Sequence, residues 1–334
     1  MSNNNKNITI ADVAQALGVS KTTVSRAISG KGRIGQQTRE KVMEYIKEHD
    51  YKPNVIAKSL ASSKTFNLCV VMPEQYALID LPFFQEVISG IQESASTEEY
   101  DILLCLSDQN NTTSLERIVS NRKVDGVILL RTLLKDAQIE LLKKYTIPYV
   151  TVGSTNYKDV VQIDNDHKNA CKELTSILLT KNIKRMALLG GSEEFIVNQN
   201  RLEGFKEGFK ENNVEIDKGL IHMNLDNQSQ IEKVITMIMK KKVDCCMCMD
   251  DAIATILLRI FKEKKIAIPN DMKVASFYNS SILEDNVPSI TSLNFDAKEL
   301  GKVASDILLK KIEGKTVKSK TLLSYDVVLK DSTK

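Results

Sequence analysis

Apolar positions near the start of the chain recur at helical spacing. In TIADVAQALGVSKTTVSRAIS, residues Ile10, Val13, Ala14 and Leu17 fall at i, i+3, i+4 and i+7, which predicts an amphipathic helix. Thr9 is placed to cap it, Asp12 suits its positive end and Gly18 stops it. Ser20 can cap a second helix, KTTVSRAI, with Val24, Ala27 and Ile28 as its inward stripe. So short a gap between two helices forces a helix-turn-helix corner. After the loop SGKGRIG a third helix, QQTREKVMEYIKEHD, carries Val42, Tyr45, Ile46 and His49 on one stripe and supplies the core that a two-helix corner lacks.

From Phe66 onward the pattern changes to strand-length apolar runs alternating with amphipathic segments. FNLCVVM, YDILLCL, VDGVILL and IPYVTVG form one series of strands, separated by helices over PFFQEVISGIQESASTEE, TSLERIVSNR and 135–144. After QID a second series begins, with strands RMALLGG, VDCCMCM and MKVASFY. Its helices are DHKNACKELTSILLTK, NRLEGFKEGFKENN, QIEKVITMIMKKK and AIATILLRIFKEKK. KTLLSYDVVL reads as the last strand. Apolar strands joined through helices imply parallel sheets covered on both faces, and two such series imply two lobes. In sheets of this kind ligands sit beyond the carboxyl ends of the strands, in the crevice between lobes.

Charge divides the chain in the same place. The first 64 residues hold 11 Lys and Arg against 5 Asp and Glu, whereas the whole chain of 334 residues holds 46 against 43. A basic head on a faintly acidic body suggests a polyanion-binding module attached to something else. The outward face of the second helix, Lys21, Thr22, Thr23, Ser25 and Arg26, is made of short hydroxyls and cations. That composition suits phosphate contacts by Thr and Ser and base-edge contacts by Lys and Arg in a major groove.

No apolar run reaches the roughly 20 residues of a membrane-spanning helix, and MSNNNKN lacks the apolar stretch of a secretory signal. These features predict a cytosolic protein without membrane contact. Cys69, Cys105 and Cys171 are scattered through apolar patterns, and Cys245, Cys246 and Cys248 share one strand whose neighbours point to opposite faces. Together with three histidines far apart in sequence, they predict buried free thiols and no metal site. The stretch YKPNVIAKSLASSK opens with a proline and ends like a linker. It is too short for a stable isolated helix, so something outside it must order it.

ITIADVAQALGVSKTTVSRAISGKGRIGQQTREKV followed by YKPNVIAKSL resembles, without a gap, the DNA-binding head of the lac-repressor and galactose-repressor family of bacterial transcription regulators. The resemblance implies that Lys21, Thr22 and Arg26 read bases. It also implies that Thr9, Ser20, Thr23, Ser25, Thr38, Tyr51 and Asn54 touch or support backbone phosphates. Gly35 departs from the family's usual serine cap, and glycine caps nearly as well. The linker then corresponds to a hinge that becomes helical when two copies meet over the operator's minor groove. In it Ala57 allows close approach of its twin, and Leu60 is the wedge that opens the central base step.

The body is similar to the effector-binding core of the same family, which has the fold of periplasmic sugar-binding proteins. The implied division is a helix-turn-helix head over 1–50, a hinge over 51–64 and a two-lobed effector-binding and dimerisation core over 65–334. By this resemblance Phe83 and Phe84 are the cleft's aromatic pair, Arg201 in NQNRLEGF the ligand-holding arginine and Asp251 in MDDAIAT the ligand-holding aspartate. Arg131, Asp164, Asp250 and Phe295 are further candidates. A guanidinium fork and a carboxylate can bracket the vicinal hydroxyls of a sugar while its apolar face stacks on an aromatic ring. The segments PFFQEV, QIDND, DDAIAT and SFYNSSILEDNVPSITSLNFDAKELG are most similar to the maltose-operon repressor branch; Asn200, where that branch often has an acidic residue, is a departure.

These features imply a homodimeric repressor that reads a near-palindromic operator and is released by a sugar, with no cofactor. The alternative is a catabolite-control regulator whose corepressor is a phosphorylated carrier protein. An enzyme is disfavoured because the sequence has no phosphate loop, no Gly-x-Ser-x-Gly elbow and no Cys/His constellation, and GGSEE lacks the spaced third glycine of a dinucleotide loop. A transport-type sugar receptor would share the body fold, but the head argues against it.

Overall fold

In the computed structural model, residues 8–30, 32–51, 59, 62–74 and 82–334 are described. They belong to two compact units, Met1–Thr65 and Phe66–Lys334.

The head consists of helices α1 (Ile10–Leu17), α2 (Lys21–Ser29) and α3 (Gln36–Glu48). The Thr9 hydroxyl accepts from the Asp12 amide while the Asp12 carboxylate accepts from the Thr9 amide at 2.8 Å, so the start of α1 is a reciprocal capping box. Gly18 closes the helix with φ +63°, a conformation glycine adopts without strain. Ser20 caps α2 by accepting from the Thr23 amide at 3.0 Å. Val13, Ala14, Val24, Ala27, Val42 and Tyr51 form the buried centre. His49 departs from expectation, because α3 ends before it. The imidazole is exposed and stacks on the Tyr45 ring at 3.9 Å instead of entering the core.

The described residues of the body form two six-stranded sheets. The first lobe uses β1 (Asn67–Met72), β2 (Asp101–Leu106), β3 (Gly126–Leu129), β4 (Tyr149–Val152), β5 (Gln162–Asn165) and β11 (Lys320–Leu323), all parallel, in the order β11-β5-β4-β3-β1-β2. One face buries Leu68, Val70, Ile128 and Val150 under α4 (Pro82–Thr97) and α12 (Ala297–Ile312). The other buries Cys69, Val71, Val127 and Leu129 under α5 (Thr113–Ser120) and α6 (Ala137–Tyr145).

The second lobe uses β6 (Met186–Leu189), β7 (Ile221–His222), β8 (Cys245–Cys248), β9 (Lys273–Ser276), β10 (Thr291–Asn294) and β12 (Asp326–Val328), in the order β12-β10-β9-β8-β6-β7. Helices α7 (His167–Thr180) and α8 (Ile196–Glu211) cover one face; α9 (Gln228–Lys240) and α10 (Asp251–Glu263) cover the other. The short α11 (Ser281–Asp285) follows β9. Cys245 faces the first of these layers and Cys246 and Cys248 the second. All six cysteines are free and buried, as strand alternation predicts.

KTLLSYDVVL is not one strand. Its first half joins the first sheet beside β5, and its second half pairs antiparallel with β10 in the other sheet. Among the described residues the chain therefore passes between the lobes three times, at Asn165–His167, at Asn294–Ala297 and at Leu323–Asp326.

Glycine allows the helices that carry the candidate cleft residues to lie close against helices that begin at these crossings. A Cβ at Gly90 of α4 would run into the Lys298 carbonyl of α12, and one at Gly204 of α8 into the Lys168 carbonyl of α7. In each lobe a backbone-to-backbone helix contact thus fixes a helix bearing candidate cleft residues to a helix that begins at a crossing.

Candidate functional sites

On the head, α2 buries Val24 and Ala27 and turns Lys21, Thr22, Ser25 and Arg26 to solvent. Thr23 is half-buried, and its amide and hydroxyl both engage Ser20. The stem of Arg26 runs along Gly32, where φ is +90° and an added Cβ would lie 3.2 Å from the arginine Cδ. The bare glycine thus gives the Arg26 stem a track beside the helix. Thr9 is exposed and Thr38 half-buried at the starts of α1 and α3. Tyr51, expected at the phosphates, is a core residue of the head with 7% exposure. Asn54, Ala57 and Leu60 lie outside the described residues, as does most of the 51–64 hinge.

In the body, the predicted residues divide into a converging set and an outlying set. Arg201 stands on α8, buried, with its Nε lacking a hydrogen-bond partner. It lies close enough to Asp164 and Asp251 to stabilise both carboxylates. Asp164, at the end of β5, accepts from the Ser154 amide and hydroxyl at 2.8 Å each. Burial nevertheless raises its pKa, with those bonds and Arg201 acting in the opposite direction. Burial and the neighbouring Asp250 likewise raise Asp251, against Ser280 and Arg201.

Aromatic rings line the same region. Phe83 is edge-on to Tyr278 at 5.7 Å, Tyr278 lies parallel to Phe295 at 6.3 Å, and Phe295 contacts His167 at 4.7 Å. Phe83 packs against the cores of both lobes, whereas Phe84 is an ordinary core residue of the first. Asp250 caps α10, accepting from the Ile253 amide at 2.9 Å.

Arg131 lies in a different arrangement. Its guanidinium is 4.4 Å over the Phe195 ring of the second lobe and 5.4 Å from the Phe84 ring of the first. Around it, Leu133 and Phe195 form a bridge, and the Leu134 amide donates to the Glu194 carbonyl at 3.0 Å. These contacts clasp the two lobes together.

Residues 9–54 match the model of the lacI family of bacterial regulatory proteins, and residues 175–333 match the periplasmic binding protein-like domain. The chain belongs to the lacI family of transcriptional regulators. Its relatives include catabolite control protein A of Staphylococcus xylosus, 29% identical over 308 residues and covering 91% of this chain and 92% of that protein. The lac repressor dimer bound to operator and the anti-inducer ONPF shares the fold, with a TM-score of 0.79 at 21% identity over 98% of this chain and 99% of that one. So does a probable maltose operon transcriptional repressor from Staphylococcus aureus, with a TM-score of 0.75 at 21% identity over 81% of this chain and 98% of that one.

As a lacI-family regulator, the protein carries a DNA-binding head and a ligand-binding type of body, and the members of this family regulate transcription. Among the described residues no helix is long and apolar enough to cross a membrane. Sequence reasoning missed Tyr278, His167 and Phe195. Tyr278 sits in an apolar run that reads as strand, and only the packing shows it ringed by Phe83, Phe295 and Asp251.

Proposed function

We propose that this protein is a homodimeric repressor of a sugar-utilisation operon, released from a near-palindromic operator when a sugar of the maltose or maltodextrin class binds between the lobes. The observation that carries the reading is the convergence on one cleft of Arg201, Asp164 and Asp251 with the rings of Phe83, Tyr278 and Phe295. A fork of donors between carboxylate acceptors, beside flat apolar faces, matches the alternating hydroxyl and C–H surfaces of a pyranose. The head supplies operator contacts through Lys21, Thr22 and Arg26 to bases and through Thr9, Ser20, Thr23, Ser25 and Thr38 to phosphates.

A single head reads few base pairs, so two are needed for tight and selective binding. Leu104 and Leu106 stand exposed on the edge strand β2, an apolar strip suited to a second copy. Sugar binding shifts the lobes about their three crossings and thereby the spacing of the two hinge segments, in which Asn54, Ala57 and Leu60 meet the DNA. The protein acts in the cytosol, where the DNA is.

The test is a titration of the complex with an operator selected from random duplexes. Maltose and maltotriose should dissociate it; indifference to every sugar tried would remove this reading. The similarity to catabolite control protein A favours a second reading, a regulator that binds DNA more tightly with a phosphorylated carrier protein. Tightening by that partner, with no response to sugar, would establish it.

A further inference from the structure

Buried polar groups in folded proteins nearly always find partners, and an unpaired one destabilises the fold. In the body several such orphans gather at the first crossing between the lobes and beside it. Both side-chain amide atoms of Asn165, Nδ1 of His167 and Nε of Arg201 lack partners, and all three residues are more than nine-tenths buried.

His167 is the most informative of them. It is the first residue of α7, and its Nε2 lies 3.5 Å from the Asp164 carboxylate, the carboxylate that Arg201 also approaches. Its ring packs at 4.7 Å against Phe295, on the second crossing. With the Nε2 proton turned toward Asp164, Nδ1 is left as an acceptor with nothing to accept from. Burial and the nearby Arg201 hold the imidazole neutral, which keeps that lone pair available. A purely structural ring at this place would be better served by an apolar side chain.

We infer that His167 is an effector-contacting residue of the cleft, its Nδ1 accepting a hydrogen bond from a hydroxyl of the bound sugar beside Arg201. This rests on the sugar reading above and extends the site inward to the first crossing between the lobes. A hydroxyl donor is required at that point, so a ligand presenting an ether, a methyl group or an anionic oxygen there is rejected. Because the residue touches both Asp164 and Phe295, its hydrogen bond to the ligand would also tie the first two crossings together in the closed form.

The experiment is calorimetric titration of the full-length protein with maltose, maltotriose and cellobiose, using wild type, His167→Phe and His167→Gln. Phenylalanine keeps the ring on Phe295 and removes the acceptor; if it fails to fold, His167→Leu carries the same comparison. The loss of one buried hydrogen bond at about 1.4 kcal/mol predicts roughly tenfold weaker sugar binding for His167→Phe. Substantial recovery is expected in His167→Gln, whose amide oxygen can accept. Thermal melting of the sugar-free apolar variant should be unchanged or higher, since an orphan has been removed, and operator binding without sugar should be unchanged. Wild-type binding to one of the sugars with equal affinity in His167→Phe overturns this inference and leaves the sugar reading standing. No binding of any of the three sugars to wild type overturns both.

Discussion

The guanidinium of Arg131 lies 4.4 Å over the ring of Phe195, so a residue of one lobe is stacked on a residue of the other. The Leu133–Phe195 bridge beside it gives the clasp a backbone component. A cation–π contact of this kind contributes about 0.5–2 kcal/mol depending on solvation. Arg131→Ala should therefore loosen the closed form and speed sugar dissociation by roughly twofold to thirtyfold, while operator affinity in the absence of sugar stays the same. Stopped-flow release of bound maltose measures it; an unchanged rate would mean that the backbone bridge alone holds the lobes together here.

Arg201→Ala should separate the two activities. The arginine lies in the body and its loss leaves Asp164 and Asp251 without their shared cation. Operator binding should persist and release by sugar should vanish, read as a flat sugar titration of the DNA complex. Equal loss of both would indicate that the residue maintains the fold of the body.

Gly204→Ala tests the helix contact under the cleft. The new methyl group would meet the Lys168 carbonyl, which belongs to backbone and cannot swing aside. Overpacking of this sort costs about 1–3 kcal/mol. The melting temperature of the body should fall and sugar affinity with it, because α8 carries Arg201. A variant that melts like wild type would show that α7 and α8 separate at little cost.

The capping box offers a test confined to the head. Thr9→Ala and Asp12→Ala each remove one half of a reciprocal pair, and each should cost about 1 kcal/mol. Since both act on the same helix start, the double variant should lose less than the sum. Chemical denaturation monitored by the helix signal of the head would show additivity instead if the two halves are independent.

His167 also makes stability depend on pH. Its folded-state pKa is lowered below the ordinary histidine value of about 6.5, so below that value the unfolded chain binds a proton that the folded chain does not. The associated stability is complete above about pH 6.5 and declines as the pH falls toward the depressed value. His167→Phe should show a shallower decline in melting temperature between pH 7 and pH 5 than wild type. Parallel curves would mean that other groups govern this range.

Some of this was legible in the chain because it depends on neighbours three or four residues apart. The stripe Ile10, Val13, Ala14 and Leu17, the caps at Thr9 and Ser20, and the stop at Gly18 are local, and the head follows from them. The apolar runs of β1, β3, β6 and β8 likewise announce strands buried on both faces, because only such strands need no polar side. The split of KTLLSYDVVL could not be read in this way. Both halves have strand composition, and which sheet each half joins depends on edges left open by distant segments. β5 and β10, with the sequences QIDN and TSLN, carry too few apolar side chains to stand out.

The resemblance nominated Arg201 and Asp251, but their meeting with Asp164, Tyr278, Phe295 and His167 joins residues from five stretches of the chain. Local pattern assigns a side chain to a face of its own helix or strand. Sheet order, the three crossings between lobes and the glycine contacts then decide which faces meet, and those are set by packing over long sequence separations.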